Sequence, residues 1–164
     1  MLPFGKSKLN LRNRSGIKIY VVSICWSALT VLVPILEAKV PLQNYVMCAF
    51  AQRFILALIL ILIFEIIDLC SDNSKLRTIP QVIGINNTKN LIYLLVLAFF
   101  ILDFYKRTQY SYQILINFIV IIFIIVLTYF ADKNKNKYYT LFWTEGIPIL
   151  WFLLMLFIFI LKLN

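Results

Sequence analysis

The sequence predicts an all-α, polytopic transmembrane helical bundle, and three observations carry that reading. The 164-residue chain is 62% hydrophobic with a mean hydropathy of +0.89. A water-soluble domain of this length needs far more polar surface. Five apolar segments reach or approach the roughly 20 residues that a helix needs to cross the hydrocarbon core: about 18–36, 45–67, 90–105, 112–131 and 143–161. Polar and apolar residues do not alternate along them, which argues against a β-barrel. The chain reads as a single membrane domain over residues 1–164.

The first segment follows a basic N-terminus, as in a signal peptide, but no small-residue cleavage site comes after it; Pro34, Glu37 and Lys39 do, so it reads as a retained span. The second carries Arg53, which in a bilayer either faces a partner inside the bundle or snorkels to the surface. The third is the weakest, because Asp103 closes it early. Asn117 in the fourth reads as a hydrogen-bonding contact between helices. Trp143 opens the fifth as an interfacial anchor, and Glu145 beside it is a candidate for lining the cavity of the second loop. Pro34 and Pro148 read as kinks or helix starts near span ends. Cys25, Cys48 and Cys70 lack metal spacing and read as small buried thiols. The absence of His excludes His-based catalysis and His metal ligands.

The net charge of +9 invites a nucleic-acid reading, but the placement of the charges argues for a bilayer and against nucleic acid. Lys6, Lys8, Arg12, Arg14 and Lys18 precede the first span; Lys75, Arg77 and Lys89 fall in the second loop and Lys133, Lys135 and Lys137 in the fourth. These eleven face four on the other side, Lys39, Lys106, Arg107 and Lys162. The positive-inside rule then sets the N-terminus and the second loop in the cytoplasm and the C-terminus outside, with a plasma or inner membrane as the expected location.

The second loop holds the chemistry. Glu65, Asp68, Asp72 and Lys75 are spaced 3, 4 and 3 apart, which on a continued helix puts all four on one face. Oxygen ligands suit a hard cation, and Mg²⁺ takes one or two carboxylates with waters and substrate phosphates in its remaining positions. Lys75 and Arg77 are suited to the phosphate oxygens that the metal leaves uncovered. The plainer reading is an acidic helix end that meets water.

The same stretch resembles the second aspartate-rich motif of the UbiA family of intramembrane prenyltransferases. That motif is a D-x-x-x-D at the cytoplasmic end of a span, then a basic residue, a Thr-Leu-Pro-like turn, an apolar pair and Gly. Here it reads Asp68, Asp72, Lys75, Arg77-Thr78-Ile79-Pro80 and Val82-Ile83-Gly84. Leu2-Pro3-Phe4-Gly5-Lys6 is similar to the family's Tyr-Pro-x-x-Lys stretch, with Leu2 at the Tyr position. Family members have about nine spans, and five spans with this motif after the second correspond to spans five to nine. The family's first motif, N-D-x-x-D-x-x-x-D or similar, does not occur in the 164 residues, so the chain carries one jaw of the family's metal–diphosphate clamp. It is expected to be a fragment, a split or misread gene product, or a degenerate paralogue.

The resemblance implies transfer of a prenyl group from a prenyl diphosphate to a lipophilic, often aromatic acceptor, with Mg²⁺ as cofactor. It implies Asp68 and Asp72 as catalytic residues, Asp68, Asp72 and Glu65 as metal ligands, and Lys75, Arg77, Lys6 and Arg53 as contacts to the diphosphate. Some of the fourteen Phe, nine Tyr and three Trp would line the cavity and steady an allylic cation, while most face lipid or pack between helices. A missing N-terminal half is then the expected partner. The alternatives are a non-catalytic scaffold or subunit that keeps the fold, and an ion transporter with Glu65, Asp68 and Arg53 on its path.

Overall fold

The computed structural model describes residues 15–39, 41, 43–70, 78–105, 111–132 and 137–163. Among these residues every regular element is a helix. Four helical stretches, Gly16–Glu37, Asn44–Ile67, Ile85–Tyr105 and Gln113–Phe130, are each long and apolar enough to cross a membrane. Their outer faces expose large apolar side chains such as Leu29, Leu36, Met47, Leu94, Leu97 and Phe118. Contiguous apolar surface of this kind belongs in hydrocarbon rather than water.

The first stretch joins α1 (Ser15–Ser27) to α2 (Val33–Glu37) through a π-helical turn, Ala28–Leu32. Pro34 has no N–H and its ring presses on the carbonyl four residues back, and the widened turn just before it is a usual way for a helix to absorb that conflict. Pro34 therefore sits inside a continuous span. The buried residues Ile19, Ser23, Ser27 and Val31 recur every four positions, and this span packs against α3. The Ser23 and Ser27 hydroxyls donate to the Ile19 and Ser23 carbonyls at 2.8 and 2.7 Å. Small side chains that satisfy themselves in this way let two backbones approach closely in a membrane.

The central helix is α3 (Asn44–Ile67), which packs against α1, α5 and α7. Its C-terminal half buries Leu56, Ala57, Leu58, Ile59, Leu62 and Ile63, so it is covered on nearly every side. Asp68 caps it, with its N–H donated to the Phe64 carbonyl, and a 3₁₀ turn follows over Asp68–Cys70. The α-helix thus stops before the continuation that would align Glu65, Asp68, Asp72 and Lys75. Asp72, Lys75 and Arg77, and Lys6 near the start, lie outside the described residues.

Short α4 (Ile79–Ile83) follows. Gln81 Oε1 accepts the Thr78 N–H at 3.1 Å, half of a capping box. Pro80 stands in the first turn, where no intrahelical N–H is needed. Gly84 ends α4 at φ 85° and ψ 160°, a region that is essentially glycine-only. Its N–H reaches the Pro80 carbonyl at 3.0 Å, and its own carbonyl accepts the Thr88 hydroxyl at 2.8 Å. Nothing in the protein lies within 4 Å of where a Cβ would stand, so backbone conformation, and not crowding by protein atoms, calls for glycine here. Gly84→Ala is expected to lower stability by about 1–3 kcal/mol in unfolding measured in detergent; an unchanged midpoint would remove the strain argument.

α5 (Ile85–Tyr105) begins about five residues before the expected position and continues past Asp103, which is buried within it. Asp103 therefore does not close the span; the physical reason lies in its hydrogen-bond partners on α3 and on the helix that follows. α6 (Ser111–Phe130) packs on α5, and Lys89 Nζ donates to the Tyr129 carbonyl at 3.0 Å, placing a cation on the orphan carbonyls of the α6 C-terminus. α7 (Lys137–Leu163) packs against α6 and α3 and has Pro148 in its interior. Its apolar described stretch, Phe142–Ile158, is shorter than the other four. Cys25 is exposed and Cys48 half-buried, which corrects the expectation of buried thiols: a lipid-facing surface accepts a small apolar thiol as readily as a core does.

Candidate functional site

Two groups of polar side chains occur along α3, one at its C-terminal end and one in its N-terminal half. At the C-terminal end Glu65 is buried, and its Oε2 accepts the Ile79 N–H at 3.3 Å. Ile79 opens α4, so its N–H is one of the donors that a helix leaves unpaired at its start, and a carboxylate there also meets the positive end of the helix dipole. Glu65 thereby pins the start of α4 to the end of α3 at one corner of the bundle. Asp68 is partly exposed at that corner. Among the described residues no group of three or more His, Cys, Asp or Glu is arranged to hold a metal ion. Of the three expected metal ligands, the described residues supply Glu65 and Asp68.

The second group was not visible as a site in the sequence. Asp103, Gln52 and Asn117 are 2%, 1% and 1% exposed. Asp103 Oδ1 accepts Gln52 Nε2 at 2.5 Å and Asn117 Nδ2 at 2.7 Å. One carboxyl oxygen thus ties α3, α5 and α6 together. The inter-helix role expected of Asn117 holds, with Asp103 as the partner. Gln52 also lies 3.5 Å from the Phe99 carbonyl. The two remaining oxygens, Asp103 Oδ2 and Asn117 Oδ1, are buried without a hydrogen-bond partner.

Arg53 follows Gln52 on α3. Its guanidinium carbon stands 3.7 Å from the ring centroid of Trp151, and Trp151 meets Phe99 edge-on at 5.9 Å. The partner expected for a cation within a span is therefore an aromatic face, a contact worth about 0.5–2 kcal/mol. Arg53 and Asp68 are 15 residues apart along α3, about 22 Å at the helical rise. One diphosphate cannot touch both, so the structure does not bring Arg53 into the Asp68 corner. Phe99 and Trp151 are the buried aromatic side chains among the described residues; Tyr20, Trp26, Phe64, Phe104, Phe118 and Tyr129 are among those that face outward, as expected for most of them.

Glu145 is exposed and borders an open, apolar groove of about 820 Å³ along α7, lined also by Phe123, Phe142, Gly146, Leu150 and Phe157. Asp68 does not line that groove. No protein-family model, curated protein or solved structure matches this chain.

Proposed function

We propose that this chain is the C-terminal, five-span half of a UbiA-like intramembrane prenyltransferase, with the α3–α4 corner as its diphosphate-binding end. The observation that carries the reading is the Glu65–Ile79 hydrogen bond. It sets Ile79, which follows the Asp68–Arg77 stretch in sequence, against the end of α3 that leads into Asp68. Asp68 and Asp72 would hold Mg²⁺, which supplies charge neutralisation on a departing diphosphate; Lys75 and Arg77 would take the uncovered phosphate oxygens. The donor is a prenyl diphosphate and the acceptor a lipophilic molecule, with the bilayer as solvent for both and an N-terminal half as partner. A non-catalytic subunit with the same fold is the alternative for this corner. An ion transporter is the second reading, favoured by the buried carboxylate of Asp103 within a span.

The test is ligand-induced stabilisation. Mg²⁺ with a prenyl diphosphate is expected to raise the unfolding temperature of the purified protein in detergent. At about one hundred times the dissociation constant the ligand adds about 2.7 kcal/mol to the folded state. Asp68→Asn and Asp72→Asn are expected to abolish the shift. An equal shift in wild type and both variants would remove these aspartates from the site.

α7 serves as the fifth span in this reading, with the N-terminus cytoplasmic and the C-terminus outside. Reporter fusions at residues 41, 86, 109 and 135 are expected to report outside, inside, outside and inside in turn. Opposite sides for 86 and 135 would sink the five-span arrangement.

A further inference from the structure

We propose that Arg53 and Trp151 form a phosphate-binding site that takes the anionic headgroup of a membrane lipid, on the side of the bundle away from Asp68. The geometry of the contact between cation and ring is the first ground. The guanidinium carbon stands 3.7 Å from the centroid of the Trp151 ring. An N–H directed end-on at the ring would bring its nitrogen about 1.3 Å nearer, well inside van der Waals contact. The guanidinium therefore lies face-on over the ring. Its five N–H groups point outward in its own plane, along edges that the ring does not touch. Trp151 is 4% exposed and meets Phe99 edge-on, so the platform under the cation is fixed before a ligand arrives. Arg53 itself is partly exposed, within reach of a ligand from outside the bundle.

Charge gives the chemistry of the ligand. A cation within a span is costly without an anion beside it, and the ring face offsets part of that cost. The described acids are Glu37, Glu65, Asp68, Asp103, Asp132 and Glu145, six of the seven in the chain. None of them forms an ion pair with Arg53; Asp72 lies outside the described residues. Trp151 Nε1, buried on the same ring, is a second donor without an acceptor. The contact offers donors and lacks acceptors, and a planar fork of N–H groups suits the paired oxygens of a phosphate. Depth identifies the source. Arg53 is nine residues beyond Asn44 in α3, about 14 Å at the helical rise. It therefore belongs to the half of a hydrocarbon core about 30 Å thick that lies nearer Asn44, and helix side chains lean toward the N-terminus. A lipid phosphate on that side meets the guanidinium through the local thinning by which bilayers accommodate such cations. The site is about 22 Å along α3 from Asp68, so it does not rest on the diphosphate reading of that corner.

Lipid-induced stabilisation of the full chain in a nonionic detergent tests this, at about 1 M sodium chloride, where the Debye length is about 3 Å and exposed charges are screened. Phosphatidylglycerol is expected to raise the unfolding temperature of the wild type, and diacylglycerol with the same acyl chains is expected to leave it unchanged. Arg53→Gln is expected to bind phosphatidylglycerol about tenfold or more weakly, the loss that goes with a hydrogen-bonded charge. Arg53→Lys keeps the charge without the fork and is expected to fall between the two. The comparison of the two lipids on the wild type needs no variant to fold, so the proposal stays open to refutation if Arg53→Gln does not. An equal rise with diacylglycerol, or a rise with phosphatidylglycerol that is unchanged in Arg53→Gln, would overturn it. An equal rise with inorganic phosphate would overturn the lipid as the source in favour of a free phosphate. No rise with phosphatidylglycerol would overturn the site in favour of an acidic residue from another protein chain.

Discussion

The isolated 164-residue chain is expected to show little or no prenyl transfer, and to gain it when co-expressed with a four-span partner that carries the missing aspartate-rich motif. A diphosphate bears several negative charges, and catalysis of its departure depends on charge arranged in advance around it. The α3–α4 corner offers Asp68 at the end of α3, while Glu65 Oε2 is already engaged with the Ile79 N–H. One aspartate-rich motif with one Mg²⁺ would leave much of the leaving-group charge uncompensated. An allylic cation must also be kept from water, and the buried aromatic side chains that the described residues supply, Phe99 and Trp151, are engaged with each other and with Arg53. The co-expressed pair is expected to exceed the isolated chain by several orders of magnitude, in keeping with the share of rate that electrostatic preorganisation supplies. Robust transfer by the isolated chain that Asp68→Ala abolishes would refute the two-half requirement and imply a site assembled from repeated copies. Transfer that survives Asp68→Ala would refute the assignment of Asp68.

Much of the bundle is legible in the sequence, because apolar length alone locates Gly16–Glu37, Asn44–Ile67 and Gln113–Phe130 to within a few residues of the expected segments. Hydropathy fails at Asp103 for a physical reason. A sliding window counts a carboxyl as a cost wherever it stands, whereas in the bundle that cost is offset by Gln52, 51 positions away, and Asn117, 14 positions away. A lone Gln in an apolar run carries no mark of such a partner, although a Gln, an Asp and an Asn in three successive apolar segments is a signal worth weighing together. The acidic corner is half legible. The spacing of Glu65 and Asp68 locates it, but the spacing argument assumed that the helix continues, and α3 ends at Ile67. What the spacing could not express is that Glu65 serves a backbone donor 14 residues on. Pro34 stands in the first turn of α2, just after the π-helical turn, in keeping with a proline that marks a kink or a helix start, and Pro148 lies inside α7, where a helix packed on its neighbours and bathed in lipid tolerates a broken hydrogen bond.

Asp103→Leu is expected to destabilise the bundle more than loss of the Gln52 or the Asn117 amide alone. It removes one oxygen and with it both bonds that join α3, α5 and α6. The Gln52 and Asn117 amides then stay buried, at 1% exposure each, and both lose the bond to Oδ1. Gln52 retains a contact of 3.5 Å to the Phe99 carbonyl, at the outer limit of a hydrogen bond. Each unsatisfied donor costs about 1–3 kcal/mol in proteins generally. Hydrogen bonds between membrane helices average about 0.6 kcal/mol and reach about 1.7, because the unfolded chain in a membrane also finds partners. Two lost bonds therefore predict a loss of about 1–4 kcal/mol, read as reversible unfolding in detergent or lipid. The neighbouring Phe104 faces outward, so Phe104→Leu serves as the control and is expected to stay within about 0.5 kcal/mol of wild type. Restoring the complement is the stricter comparison. In Gln52→Leu/Asp103→Leu/Asn117→Leu all three members of this contact are removed together, and replacing every member of a buried polar set by apolar groups is far less costly than removing one. The triple variant is therefore expected to recover part of the stability that Asp103→Leu loses. A single variant indistinguishable from the Phe104→Leu control would show that these helices are held by apolar packing alone, and a triple variant less stable than Asp103→Leu would overturn the argument from mutual satisfaction.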